Sequence, residues 1–213
     1  MTGYVPFLQL SFYIFGVAVK CNMEELFRAH IQKVVALTDE EFDDIMTHFS
    51  FMSFKRREFL TRKGEGVRYV YWVVSGLLKL EHEDAAGKQH VVAFAMEDWW
   101  EGDYYAFFNR GLATMSLQAL EDTQVLCMTL KDYNSLCDNF PKMTYFFLQK
   151  TNRGHISAQQ RILDLISSNA RERYDKLLDR YPALFQRVPH TLIASYLGVT
   201  RETLSRLTTQ QGG

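Results

Sequence analysis

The feature that most constrains this chain is a series of short β-rich runs closed by glycines. "VRYVYWVVS" (67–75), "LLKLEHE" (77–83), "HVVAFAM" (90–96), "MSLQAL" (115–120) and "TQVLCMTL" (123–130) alternate with Gly64-Glu65-Gly66, Gly76, the "DAAGK" around Gly87 and the "EGD" around Gly102. Valine, tyrosine and tryptophan favour the pleated strand, and glycine takes the turn conformations that other residues resist. Many short strands at this spacing predict an antiparallel sandwich or jelly-roll barrel.

Both flanks of that region have helical texture. Residues 24–36 space Leu26, Phe27, Ile31, Val34 and Val35 on one helical face. Thr38 and Glu41 form a capping box, which predicts a second helix over about 39–49. After Leu130, Asp138 or Asn139 followed by Pro141 predicts a helix start, and the helix runs to Ser167. Along it Tyr145, Leu148, Asn152, His155, Gln159, Ile162 and Ile166 follow a 3-4 alternation that fits a two-helix seam with polar members fixing the register. Packing across the protein's own barrel is the alternative. Asn169 and Glu172 cap a further helix that Pro182 ends, and "FQRVPH" reads as a connector. The fold class is therefore α+β, with domains over 23–138, 139–168 and 169–213.

Composition narrows the function. With 47% apolar and 23% charged residues the chain belongs with ordered globular proteins. The net charge of −1 conceals an asymmetry: from Asn169 onward seven Arg/Lys face four Asp/Glu, leaving that end at +3 and the remainder at −4. A basic end on an acidic body points towards a polyanion. Cys21, Cys127 and Cys137 give neither a disulfide framework nor a zinc or iron–sulfur spacing, so a reduced, cytoplasmic chain is expected. The apolar segment 1–22 lacks a basic leader and is broken by Pro6, Gln9, Ser11 and Gly16. Met23 reads as a native start, which makes 1–22 an extension without a fixed function. A membrane-touching segment is the alternative for 1–22; the rest of the chain calls for no membrane.

The closing stretch carries the most specific chemistry. Thr191–Leu197 predicts a short helix, Gly198 a turn that Val199 plugs, and Thr200 the N-cap of a second helix with Leu204 and Leu207 facing inward. A helix-turn-helix needs this arrangement, with the second helix presenting its first turns to a DNA major groove. Arginine can bond guanine bidentately, glutamate can accept from cytosine, and hydroxyls suit phosphates. The bland alternative is a surface helix with scattered charges.

From about Met23 to Leu207 the sequence resembles the Crp–Fnr family of bacterial transcription regulators. The resemblance is carried by Glu172-Arg173-Tyr174, Leu177-Leu178, Arg180-Tyr181-Pro182, Arg187-Val188-Pro189 and the run from Ile193 to Arg206. It implies a cyclic-nucleotide-binding-like β-roll, a long dimerisation helix and a C-terminal winged-type helix-turn-helix. It further implies a homodimer on a two-fold double-stranded DNA operator, with RNA polymerase a candidate partner. Arg201, Glu202 and Arg206 would touch base edges, while Thr200, Thr203 and Ser205 would support them or bind phosphate. No Lys or Arg follows Arg206 in this sequence, so part of the usual phosphate grip is missing and modest DNA affinity is expected.

In nucleotide-binding members a Gly-Glu pair holds the ribose and an Arg-Ser/Thr-Ala run neutralises the cyclic phosphate. Gly102-Asp103 and Ala113-Thr114-Met115 stand at those places, without the arginine. A buried anion lacking a cation is costly, so cAMP binding is not expected. Arg110 is a remote substitute, and the effector is left unidentified. Trp99, Trp100, Tyr104, Tyr105, Phe107 and Phe108 nearby suit barrel packing, or a pocket for a less charged effector. Two other functions compete: a dimeric sensor with weak or lost DNA binding, and a cupin-like metalloenzyme using His82, Glu83 and His90. The second lacks the ligand spacing such a site uses.

Overall fold

The structure, a computed structural model, describes residues 23–209. The extension over 1–22 and residues 210–213 lie outside it. The glycine-closed runs form strands: β3 (Tyr69–Ser75), β4 (Leu78–Glu83), β5 (Gln89–Ala95), β7 (Ser116–Ala119) and β8 (Thr123–Thr129). β1 (Ser50–Phe54), β2 (Phe59–Thr61) and the two-residue β6 (Trp100–Glu101) complete the set. They pair in two four-stranded sheets, ordered β1-β8-β3-β6 and β2-β7-β4-β5, and every pairing is antiparallel. This is the expected β-roll. Its interior is closed by Tyr71, Val73, Leu78, Leu80, Leu117, Val125 and Cys127, all buried. Burial pushes the Cys127 thiol up to about 12, so it acts as a small apolar side chain.

Gly76 shows why glycine closes β3. Its φ is +103°, and a Cβ there would lie 2.4 Å from Thr123 Oγ1 and 2.7 Å from Thr123 Cα.

Alternation fails along β3, where Val70, Tyr71, Trp72 and Val73 are all buried, because this sheet is covered on both faces. On the outer face Val70, Trp72, Leu126 and Met128 pack against Phe27 and Ile31 of helix α1 (23–32) and against Leu136, Met143 and Phe146. Burying a side chain of this size stabilises by roughly 1.5–3 kcal/mol, so this face anchors the helices around the roll. α2 (Asp39–Met46) carries the expected capping box, with Thr38 Oγ1 accepting from Glu41 N at 3.2 Å and Glu41 Oε2 from Thr38 N at 2.9 Å. It ends three residues before the expected position.

Other boundaries differ from expectation as well. α3 (Tyr104–Asn109) lies within the aromatic run, capped by Asp103. α4 (Leu130–Asn139) follows β8 directly, because Thr129 accepts from Asp132 N at 3.2 Å and caps it. Asp138 and Asn139 therefore end one helix rather than start another. Pro141 crowds Phe140 out of the helical region, to φ −126° and ψ 91°, and α5 (Pro141–Ser167) begins after this break. Pro182 acts likewise on Tyr181, yet it opens α7 (Pro182–Arg187) instead of leading into a connector. α6 (Ala170–Arg180) has the Asn169–Glu172 capping box, at 3.0 Å in both directions.

Along α5 Met143, Phe146 and Phe147 are buried against the roll, whereas residues 151–160 are all exposed. No helix among the described residues is long and apolar enough to cross a membrane.

Candidate DNA-reading helix and effector site

The C-terminal unit is built from α6, α7, α8 (His190–Leu197) and α9 (Arg201–Thr209). Ile193, Ala194 and Leu197 on α8 meet Leu204 and Leu207 on α9 in one buried cluster with Tyr174, Leu177 and Leu184. Gly198 ends α8 in the left-handed conformation, φ +67°, and Val199 N bonds Ala194 O at 3.0 Å to close the turn. Thr200 Oγ1 accepts from Thr203 N at 3.2 Å, which makes it the N-cap of α9. With Leu204 and Leu207 turned inward, Arg201, Glu202, Ser205 and Arg206 are exposed on the other face. Thr203 is half-buried, its hydroxyl 3.2 Å from that of Thr200. Bonds from its own backbone N–H and from Thr200 hold the Glu202 carboxyl below its usual range, with the charges of Arg201 and Arg206 adding to the effect.

The basic end is less free than its composition implies. Arg173 donates to Leu197 O at 2.9 Å and to Ser168 O, satisfying carbonyls at two helix ends. Arg171 pairs with Asp175, and Lys176 with Asp164. Arg187 pairs with Glu97 and Glu121 of the roll. Four of the seven cations counted in the sequence thus serve the fold, while Arg201 and Arg206 stand outward on α9.

The same unit is docked on its own β-roll, which the sequence did not foretell. β5 is an edge strand, and α8 covers it: Val91 N donates to Ser195 Oγ at 3.0 Å. Arg161 of α5 donates to Val91 O at 3.3 Å and Tyr196 O at 3.0 Å, its guanidinium 3.6 Å from the centroid of the Tyr196 ring. Phe94 packs on Tyr196 and Trp99 on Tyr181.

The effector-site residues named from the sequence do come together. Gly102 and Asp103 follow β6, and loop 113–115 leads into β7. Asp103 is 1% exposed. Its Oδ1 accepts from Ala106 N at 3.1 Å; its Oδ2 accepts from Thr114 N at 2.7 Å, Thr114 Oγ1 at 2.9 Å and Met115 N at 3.1 Å. Burial opposes its charge, but these bonds outweigh it and hold the carboxyl below its usual range. Ala113 is buried and locked to the opposite loop by Gly64 N to Ala113 O at 2.8 Å and Ala113 N to Glu65 O at 2.7 Å. Gly102 is packed on Val70, whose Cγ1 would lie 3.2 Å from a Cβ at Gly102. Arg110 is not among the donors to Asp103; it lines a separate surface cleft of about 870 Å³ with Arg68 and Lys131.

The aromatic run divides: Phe107 is buried and Trp100 packs on the core, while Tyr104, Tyr105 and Phe108 are exposed. His82, Glu83 and His90 go to separate partners, namely Thr114 O, Gln89 and Asp84. Among the described residues no group of three His, Cys, Asp or Glu is placed to hold a metal ion.

A two-sheet roll, a long helix exposed over 151–160 and a helix-turn-helix make up the architecture. The comparisons agree. Residues 51–140 match the cyclic nucleotide-binding domain family. The transcriptional activator protein Anr of Pseudomonas protegens is 28% identical over 167 residues, 73% of this chain and 68% of that protein. The cyclic AMP receptor protein of Thermus thermophilus is 26% identical over 176 residues, 80% of this chain and 81% of that protein. The solved structure of FixK2 from Bradyrhizobium japonicum superposes with a TM-score of 0.64 at 21% identity, covering 76% of this chain and 83% of that one. These similarities support the resemblance to the Crp–Fnr family of transcription regulators.

Proposed function

We propose that this protein is a homodimeric, sequence-specific DNA-binding transcription regulator that reads a two-fold operator through α9 without answering to cAMP. The observation that carries the reading is the outward face of α9, where Arg201, Glu202, Ser205 and Arg206 are exposed behind a capped, glycine-closed turn. Arg201, Glu202 and Arg206 take the base edges; Thr200 and Ser205 serve phosphates, and Thr203 braces the N-cap. The division 23–138, 139–168 and 169–213 assigns sensing, dimerisation and DNA reading in turn. Dimerisation through α5 is supported by its exposed apolar residues Tyr145, Leu148, Ile162 and Ile166. Two half-sites about 34–36 Å apart would then be read by the two copies of α9. RNA polymerase is the further partner this function calls for.

Independence from cAMP is supported by the absence of an arginine at Ala113 and by the carboxylate of Asp103 on the donors of Thr114 and Met115. The test is selection of bound fragments from a random DNA pool, followed by Arg201→Ala and Arg206→Ala. Each substitution is expected to weaken specific binding by roughly 1–3 kcal/mol. Wild-type binding by both variants would refute the assignment of α9. Calorimetry with cAMP is expected to show no saturable heat, and micromolar binding would refute the second half of the proposal.

A further inference from the structure

We propose that the Asp103 carboxylate is the built-in occupant of an oxyanion cradle formed by Thr114 and Met115, so that this β-roll supplies its own anion where a phosphate-class effector would otherwise sit. The proposal rests on reading Gly102, Asp103, Ala113 and Thr114 as the effector position of the roll. The cradle itself is a matter of geometry. Asp103 Oδ2 alone receives three donors, two successive backbone N–H groups and the Thr114 hydroxyl, at 2.7 to 3.1 Å. Consecutive N–H groups converging on one oxygen are how proteins hold phosphate and other oxyanions.

Ordinary helix capping accounts for only part of this. An aspartate N-cap of α3 needs the single bond from Ala106 N to Oδ1. It does not call for a second oxygen to gather three donors from a loop eleven and twelve residues further along the chain. Nor is the charge met by a cation, since none of the four donors is one. Asp103 as a whole is 1% exposed, so solvent does little to balance its charge, and the donors must. Ala113 is fixed through both its N–H and its carbonyl to Glu65 and Gly64, which holds the loop in its donor conformation. A free phosphate oxygen would need the place that Oδ2 fills. The cradle is therefore closed to it while Asp103 is present and open once the carboxylate is removed.

The experiment is thermal unfolding of the full chain in increasing sodium acetate or inorganic phosphate, with sodium chloride at matched ionic strength as reference. Asp103→Gly is expected to lower the midpoint by several degrees. Acetate or phosphate, but not chloride, should then restore most of that loss along a saturable curve. Rescue by acetate alone marks a carboxylate-shaped cradle, rescue by phosphate as well marks a phosphate-class one, and both support an anion cradle. The wild type and Asp103→Asn, whose amide still fills the space, should show no such rise. Wild-type behaviour matching that of Asp103→Gly, or a folded Asp103→Gly blind to both anions, overturns the proposal.

A measurement on the unmodified chain holds if Asp103→Gly does not fold. The amide protons of Thr114 and Met115 should shift together with one acidic midpoint, and independent or absent titration overturns the proposal. Neither readout involves DNA, so a failure of operator binding would count against α9 and leave this site untouched.

Discussion

Replacing Arg187 with methionine should loosen the C-terminal helical unit from the roll, and the structure sets the size of the effect. The guanidinium donates to Glu121 at 3.1 and 2.8 Å, to Glu97 at 2.8 and 2.9 Å, and to Gly76 O at 3.0 Å. One side chain of the C-terminal unit thus holds two carboxylates and a turn carbonyl of the β-roll. The Arg187 side chain is 25% exposed, against 45% for Glu97 and 35% for Glu121. Fully exposed pairs are worth about 0.2–1 kcal/mol, and losing one partner of a buried pair costs about 3–5 kcal/mol. A three-quarters-buried fork between half-exposed carboxylates falls between these limits, at about 2 kcal/mol. Methionine keeps most of the apolar stem, so the loss reports the charge and the hydrogen bonds.

The assay is urea unfolding of the wild type, Arg187→Met and Arg187→Lys, with amide exchange read at Val91. Arg187→Met is expected to lose about 2 kcal/mol, and Arg187→Lys to recover less than half, because an ammonium cannot span both carboxylates as a planar fork does. Exchange at Val91 should quicken, since its N–H is protected by Ser195 of the docked α8. A loss below about 0.5 kcal/mol, in the range of an exposed pair, or unchanged protection at Val91, would refute the docking argument.

Four other outcomes are expected. Gly198→Ala should cost about 1–2 kcal/mol from its positive φ alone, since a Cβ there meets only Leu165 Cδ2 at 3.5 Å; Gly76→Ala should cost more in the same unfolding assay, because its Cβ would press on Thr123 main chain at 2.7 Å. Leu148→Asp or Ile162→Asp, at positions 53% and 55% exposed in one chain, should halve the sedimentation mass without changing the circular dichroism. Burial, and then Lys150, push the His30 imidazole down from 6.5 to about 4 against the pull of Asp98, so the unfolded chain takes up a proton first and stability should fall by up to about 3 kcal/mol between those pH values; His30→Gln should abolish that slope. Burial raises Glu101 from 4.5 to about 7, which gives the opposite slope, with stability lost as pH rises through that window, and Glu101→Gln should remove it.

What could be read from the sequence was local chemistry with a single physical cause. Gly76 and Gly198 mark positive φ, and Thr38 with Glu41 and Asn169 with Glu172 mark helix starts, because each needs only neighbours within four residues. α4 escaped because β8 runs into it without a glycine or proline, and its cap, Thr129, reads as one more β-branched strand residue. α3 escaped because its aromatic residues serve packing and exposure at once. For the candidate sites, the outward residues of α9 and the pairing of position 103 with 114 were legible, since the resemblance aligned them. The filling of the Thr114 and Met115 donors by Asp103 was not, because it depends on a loop eleven and twelve residues away closing to 2.7 and 3.1 Å. Charge counting overstated the basic end for the same reason: the partners of Arg187 lie 66 and 90 positions earlier in the chain.

The docking also answers a problem that the β-roll creates for itself. An open four-stranded sheet leaves β5 with unpaired main-chain groups, which invite association with other strands. Here Ser195 takes the Val91 N–H and Arg161 the Val91 carbonyl, so α8 and α5 together blunt that edge. The consequence reaches α9, because α8 and α9 share Ile193, Ala194, Leu197, Leu204 and Leu207 in one buried cluster that includes Val91 and Phe94 of β5. The direction in which Arg201 and Arg206 project is therefore inherited from the edge of the sheet. The loop carrying Thr114 and Met115, which bonds Asp103, leads into β7, which pairs with β4, which pairs with β5. Hydrogen-bonded strands and the apolar contact of α8 with α9 thus join Asp103 to α9 within one chain, and the element closing the sheet is also the element that aims α9.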